Sequence, residues 1–162
     1  MGRIAQDGAA GFTLLEMVIV VAVIATLSIS ATFAISTRDS AEADVTRFAA
    51  AYARLRDRAI LGQSQQGMAI VPEGWQTLAP APPDAEVEGW QAVGMVQKFR
   101  GEVRFEGADG PIFPRELTRD PLPDLVFLPD GQVTPFEVTF IANERLNRCR
   151  STGFAGLDCE GT

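Results

Sequence analysis

Residues 12–37, FTLLEMVIVVAVIATLSISATFAIST, contain one ionisable side chain, Glu16, and from Met17 to Thr37 there is none. As a helix rising 1.5 Å per residue, those 21 residues reach about 31 Å, close to the ~30 Å hydrocarbon thickness of a bilayer. A core helix of a soluble domain is normally shorter and carries a polar stripe, so the stretch reads as a membrane span. It does not read as a cleaved secretory signal. The apolar run is longer than the roughly 7–15 residues of a signal h-region. Ser36-Thr37-Arg38 is no Ala-x-Ala-like cleavage site, and an h-region has no use for Glu16.

Upstream, residues 1–11 (MGRIAQDGAAG) form a short polar leader in which Asp7 cancels Arg3. Downstream, residues 38–62 change chemistry. Val45, Phe48, Tyr52, Leu55 and Ala59 recur at spacings of three and four, one apolar stripe on a helix. Asp44, Arg47, Arg54, Asp57 and Arg58 are expected on the remaining faces, and Gly62 is the expected stop. No proline occurs between residues 12 and 62, so one helix is expected from Phe12 to about Leu61. Its first half is apolar all round and its second half amphipathic.

Beyond Gly62 the period falls to two. Met68–Val71 and Trp75–Leu78 flank Pro72-Glu73-Gly74 as a hairpin, and residues 79–89 (APAPPDAEVEG) read as an acidic, proline-rich connector. Gly101–Glu106 alternates like a half-buried strand. After the prolines at 111, 114, 121 and 123, Leu125–Leu128 and Val133–Ile141 flank Pro129-Asp130-Gly131 as a second expected hairpin. Phe136, Val138 and Phe140 share one face of its second arm. The expected class is α+β: a long N-terminal helix whose amphipathic half packs on an antiparallel β head.

The whole chain has 162 residues, with 14 basic and 21 acidic side chains and no histidine. Its net charge of −7 argues against a dedicated nucleic-acid binder, which needs a basic face. The lack of histidine removes Ser-His-Asp and Cys-His catalysis and histidine-bearing zinc sites. Mean hydropathy, +0.08, averages an apolar stem and an acidic head; residues 38–162 carry 13 basic and 19 acidic groups, a net of −6. The acids Asp84, Glu86 and Glu88, and Glu102, Glu106 and Asp109, match no EF-hand spacing and read as solvated faces. No metal, cofactor or catalytic set is expected. Arginine outnumbers lysine thirteen to one, which reads as background composition.

Glu16 is the feature that composition does not explain. A carboxylate at the bilayer centre costs roughly 2.5–3.5 kcal/mol, and less near the end of a span, where Glu16 lies. One reading is a solvated interfacial acid. The other is a carboxylate that awaits a positive partner delivered by assembly.

Gly11-Phe12-Thr13-Leu14-Leu15-Glu16-Met17, followed by the apolar run, resembles the cleavage and methylation motif of type IV prepilins and type II secretion pseudopilins. The resemblance implies that a prepilin peptidase cuts between Gly11 and Phe12 and N-methylates Phe12. It also implies that Glu16 pairs with the N-terminal amine of a neighbouring subunit. WQTLAPAPP (75–83) and LVFLPDGQVTPFEVTFI (125–141) resemble the H-type minor pseudopilins of type II secretion. That implies a non-enzymatic, single-pass inner-membrane protein with a periplasmic head. It would act at or near the tip of a helical pseudopilus that supports export of folded proteins. The implied partners are other major and minor pseudopilins, the prepilin peptidase and the inner-membrane assembly platform. The alternative is the related FimT-like minor type IV pilin of DNA uptake, for which Arg145, Arg148 and Arg150 form a small basic cluster. The calcium loop of the major pseudopilin is not located in this sequence.

The implied domains are a leader at 1–11, a transmembrane half-helix at 12–37, an amphipathic half at 38–62 and the head at 63–162. An oxidising compartment would allow Cys149 and Cys159 to bridge and clip the C-terminal tail, with two free thiols as the alternative. Closing that loop is worth roughly 2.5–3 kcal/mol in the chain-entropy picture.

Overall fold

The computed structural model describes residues 14–83, 89–142 and 145–161, leaving aside the side chains of 26–40, 142, 145 and 161. A single helix, α1, runs Leu14–Gly62 without a proline to interrupt it. The chain divides into two compact units, Met1–Ser36 and Thr37–Thr162, and α1 contributes to both. The helix ends at Gly62, but Gln63 is the residue that takes the left-handed turn, with φ 48°. A non-glycine residue is disfavoured there. The Gln63 side chain compensates by donating from Nε2 to the carbonyl of Ile60 at 2.7 Å.

The second unit contains two antiparallel sheets. The first has the order β3-β2-β1-β6, from β1 (Gln66–Val71), β2 (Gly74–Pro80), β3 (Trp90–Lys98) and β6 (Leu125–Phe127). The second has the order β5-β4-β7-β8-β9, from β4 (Glu102–Gly107), β5 (Gly110–Ile112), β7 (Phe136–Ala142), β8 (Arg145–Ser151) and β9 (Asp158–Gly161). The hairpin expected around Pro72-Glu73 forms as β1–β2, with Val71 opposite Gly74. Gly74 is required there because a Cβ would lie 1.8 Å from the carbonyl oxygen of Gln97 on β3.

The second expected hairpin forms only next to its turn, where Leu128 N–H donates to the Gln132 carbonyl at 2.8 Å and Thr134 N–H to the Val126 carbonyl at 3.0 Å. Its turn is present: Gly131 has φ +85° and the Asp130 carboxylate accepts from the Gln132 amide at 3.0 Å. The arms then separate. Apart from the bridge Phe127–Val133, β6 pairs with β1 in the first sheet while β7 lies between β4 and β8 in the second. The segment 128–135 is therefore a crossover between sheets, and Pro135, which has no N–H to donate, stands just before β7.

The core lies where α1 meets both sheets. The stripe expected from spacing is buried at Phe48, Tyr52, Leu55 and Ala59, with Val45 at its margin. Phe48 is 0 % exposed and meets Trp75 of the first sheet edge-on, with ring centroids 5.7 Å apart. It also meets Phe105, Phe136 and Phe140 of the second sheet at 5.6, 6.0 and 5.9 Å. Edge-to-face pairs at these separations add about 0.5–1.5 kcal/mol each beyond area burial.

Asp44 departs from its expected place on a polar face. It is 1 % exposed and aligned with Phe48 one turn on. Its Oδ2 accepts from the backbone amides of Arg100 and Gly101 at 2.7 and 3.0 Å, and Oδ1 accepts from Arg47. Arg47 donates in turn to the carbonyl of Lys98 at 2.8 Å. Asp44 thus fixes the β3–β4 connection to the helix. Asp44→Ala leaves two backbone N–H groups without acceptors, at about 1–3 kcal/mol each when buried. The expected loss is about 2–4 kcal/mol, with Asp44→Asn retaining part of it. Denaturant midpoints measure both; an unchanged midpoint for Asp44→Ala would show that the tie is dispensable.

Candidate functional site

Gly11 and Phe12 lie outside the described residues. Glu16 stands in the first turn of α1 and is exposed, as are its neighbours Leu14, Leu15, Met17, Val18 and Ile19. The described part of this segment therefore presents apolar side chains around one carboxylate. An exposed apolar surface of that kind marks a lipid or protein contact. Among the described residues no helix is long and apolar enough to cross a membrane. Much of the span expected over 12–37 falls on residues 12–13 and 26–37, outside what the structure describes, wholly or in their side chains.

At the other end of the chain, Cys149 and Cys159 face each other across β8 and β9 and are bridged, with Cα atoms 4.0 Å apart. The bridge holds β9, an edge strand, on β8. Beneath the enclosed loop the Tyr52 hydroxyl meets that of Ser151 at 2.9 Å, and Arg56 donates to the carbonyls of Gly131 and Phe154 at 3.1 Å each. The helical spacing places Tyr52 in the stripe but carries no sign of its polar contact or of the role of Arg56. Neither residue has a local signal for these bonds, since the partners lie 75 to 103 positions away.

Of the basic cluster, Arg148 and Arg150 are partly neutralised, while the side chain of Arg145 lies outside what the structure describes. Arg148 Nε lies 3.0 Å from one Glu137 oxygen and Arg150 Nε 3.9 Å from the other. A phosphate backbone would have to compete with that carboxylate, which weakens the nucleic-acid alternative. Among the described residues no group of three His, Cys, Asp or Glu side chains is placed to hold a metal ion.

The profile for the prokaryotic N-terminal methylation motif matches residues 7–32, which contain Gly11, Phe12 and Glu16. No curated protein matches the chain in sequence. Two structures of the minor pseudopilin EpsH from the type 2 secretion system of Vibrio cholerae are similar in fold. One has TM-score 0.60 and 20 % identity over 75 % of this chain and 96 % of EpsH. The other has TM-score 0.57 and 20 % identity over 75 % and 97 %. The solution structure of Escherichia coli GspH gives 0.54 and 21 %, over 79 % of this chain and 90 % of that one. At such identities the likeness establishes the fold of the head, a pseudopilin-like α+β arrangement, as the helix stripe and strand pattern led one to expect.

Proposed function

We propose that the chain is a minor pseudopilin of the H type, a structural subunit at or near the tip of a type II secretion pseudopilus. One coincidence carries this reading: a methylation motif at the amino terminus, over 7–32, is joined to a head with the minor-pseudopilin fold. In this reading the prepilin peptidase cuts between Gly11 and Phe12 and methylates Phe12. The apolar half of α1 holds the protein in the inner membrane, with the head in the periplasm, until the assembly platform passes it to other pseudopilins.

The physics of the transfer follows from the segment's side chains. Apolar surface facing lipid loses little on moving against neighbouring helices, so hydrophobicity alone gives no direction. Glu16 supplies one. Its carboxylate gains by meeting the N-terminal amine of an adjacent subunit in a low-dielectric interface, while neither charge is stable there alone.

Mass spectrometry of the protein recovered from membranes tests the maturation. The expected species begins with N-methyl-Phe12 and lacks residues 1–11. Recovery of any other mature N-terminus from cells with an active prepilin peptidase would overturn it.

A further inference from the structure

We infer that the groove between α1 and β3 is a docking site for an extended acidic segment of another subunit. The groove has a volume of about 240 Å³, below the roughly 300–1,000 Å³ typical of small-molecule sites and suited to the side chains of a peptide. Leu55 and Trp75 contribute apolar lining, Arg54 and Arg58 stand on the helix side, and Gly94 and Met95 on the strand side.

The groups around it are donors without acceptors. Arg47 and Arg56 on the same helix bind backbone carbonyls. Arg54 and Arg58, one turn apart, are exposed and make no ion pair or hydrogen bond among the described residues. Trp75, which lines the groove, is 2 % exposed and its indole N–H is fully buried, so that group reports on the groove and is not a contact for its occupant. No carboxylate lines the groove; Asp57, on the same stretch of helix, is not part of it. An occupant that complements the two exposed guanidinium groups presents acceptors, and carboxylates serve best there.

The strand side decides how the occupant is held. β3 is the edge of its sheet, but its ladder to β2 shifts between Trp75 and Thr77. Three residues, Gly94 to Val96, there oppose Gln76 alone, whose Nε2 donates to the carbonyl of Val93 at 2.9 Å. A bulge of this kind discourages the addition of a further strand. Docking is therefore through side chains: carboxylates to Arg54 and Arg58, and an apolar residue against Met95, which is 82 % exposed. The occupant alternates acidic and apolar residues.

That the partner is another subunit rests on the assembly role proposed above; the chemistry of the groove does not. The test is a titration of the isotope-labelled full chain in detergent micelles with a short peptide of alternating glutamate and valine, followed by NMR. The expected result is a saturable shift of the Trp75 indole N–H that weakens with salt. Affinity should fall by about tenfold or more in an Arg54→Gln, Arg58→Gln double variant whose circular dichroism is unchanged. Absence of the shift, equal affinity in the double variant, or equal binding of a lysine–valine peptide would each overturn the proposal. A chain that binds the peptide through these arginines yet is dispensable for secretion would refute the assembly role and leave the groove standing.

Discussion

Phe48→Ala is expected to lower the unfolding free energy of the chain by about 3–5 kcal/mol, the range for truncating a buried aromatic side chain. The site favours the upper part of that range. Phe48 is fully buried and its four edge-on partners come from both sheets, so the cavity cannot close by the shift of one element. Each small domain has only about 5–15 kcal/mol to lose. Phe48→Leu, which leaves a smaller void, should cost less than half as much. Denaturant unfolding of the full chain in micelles, followed by near-ultraviolet circular dichroism, compares them. A loss below about 1 kcal/mol for the alanine variant would mean that Phe48 is not the contact shared by the two sheets.

Under the assembly role proposed above, Glu16→Ala is expected to leave insertion intact and to impair incorporation into the pseudopilus. Insertion should even improve slightly, because the carboxylate is the one charge in the segment and its removal relieves part of a ~2.5–3.5 kcal/mol cost. In that role assembly loses one half of the proposed desolvated pair, a change of about 3–5 kcal/mol when a partner is left behind, or about a hundredfold or more in occupancy. Glu16→Gln should resemble alanine if charge is what matters, and Glu16→Asp should retain part of the function. Membrane fractionation, crosslinking to neighbouring pseudopilins and a secretion assay separate these steps. Normal secretion by the alanine variant would make Glu16 a solvated interfacial acid and nothing more.

The sequence made legible whatever was written in short-range spacing. The stripe from Phe48 to Ala59 became the buried face of α1, and the alternation of Phe136, Val138 and Phe140 became the buried face of β7. What it concealed was partner choice. Pro129-Asp130-Gly131 encodes a turn, but the turn does not decide whether its arms stay together; β6 found β1, some sixty residues earlier in the chain, and β7 found β4 and β8. β8, RLNRCRS, has little strand propensity and is held by neighbours on both sides, the circumstance in which context outweighs intrinsic preference. β3 carries no strand signal, because its side chains are mostly exposed and do not alternate. The terminal motif around Gly11, Phe12 and Glu16 was readable at once because it is local. Asp44 was not, since an acid on a helix reads as solvated until its distant amides are known.

The ties along α1 also have a mechanical meaning. Asp44 and Arg47 hold the β3–β4 connection, Tyr52 holds Ser151, and Arg56 holds the loops at Gly131 and Phe154. They are distributed over more than three turns of the helix, with Phe48 and Leu55 packed between them. A pull along the helix axis would load these contacts together, in shear. A pull on the C-terminal tail would instead peel β9 from the edge of its sheet one pair at a time, were it not for the covalent clip at Cys149 and Cys159. The head is thus tied to its helix over more than three turns, and reinforced by a covalent bond at the edge where hydrogen bonds alone would unzip.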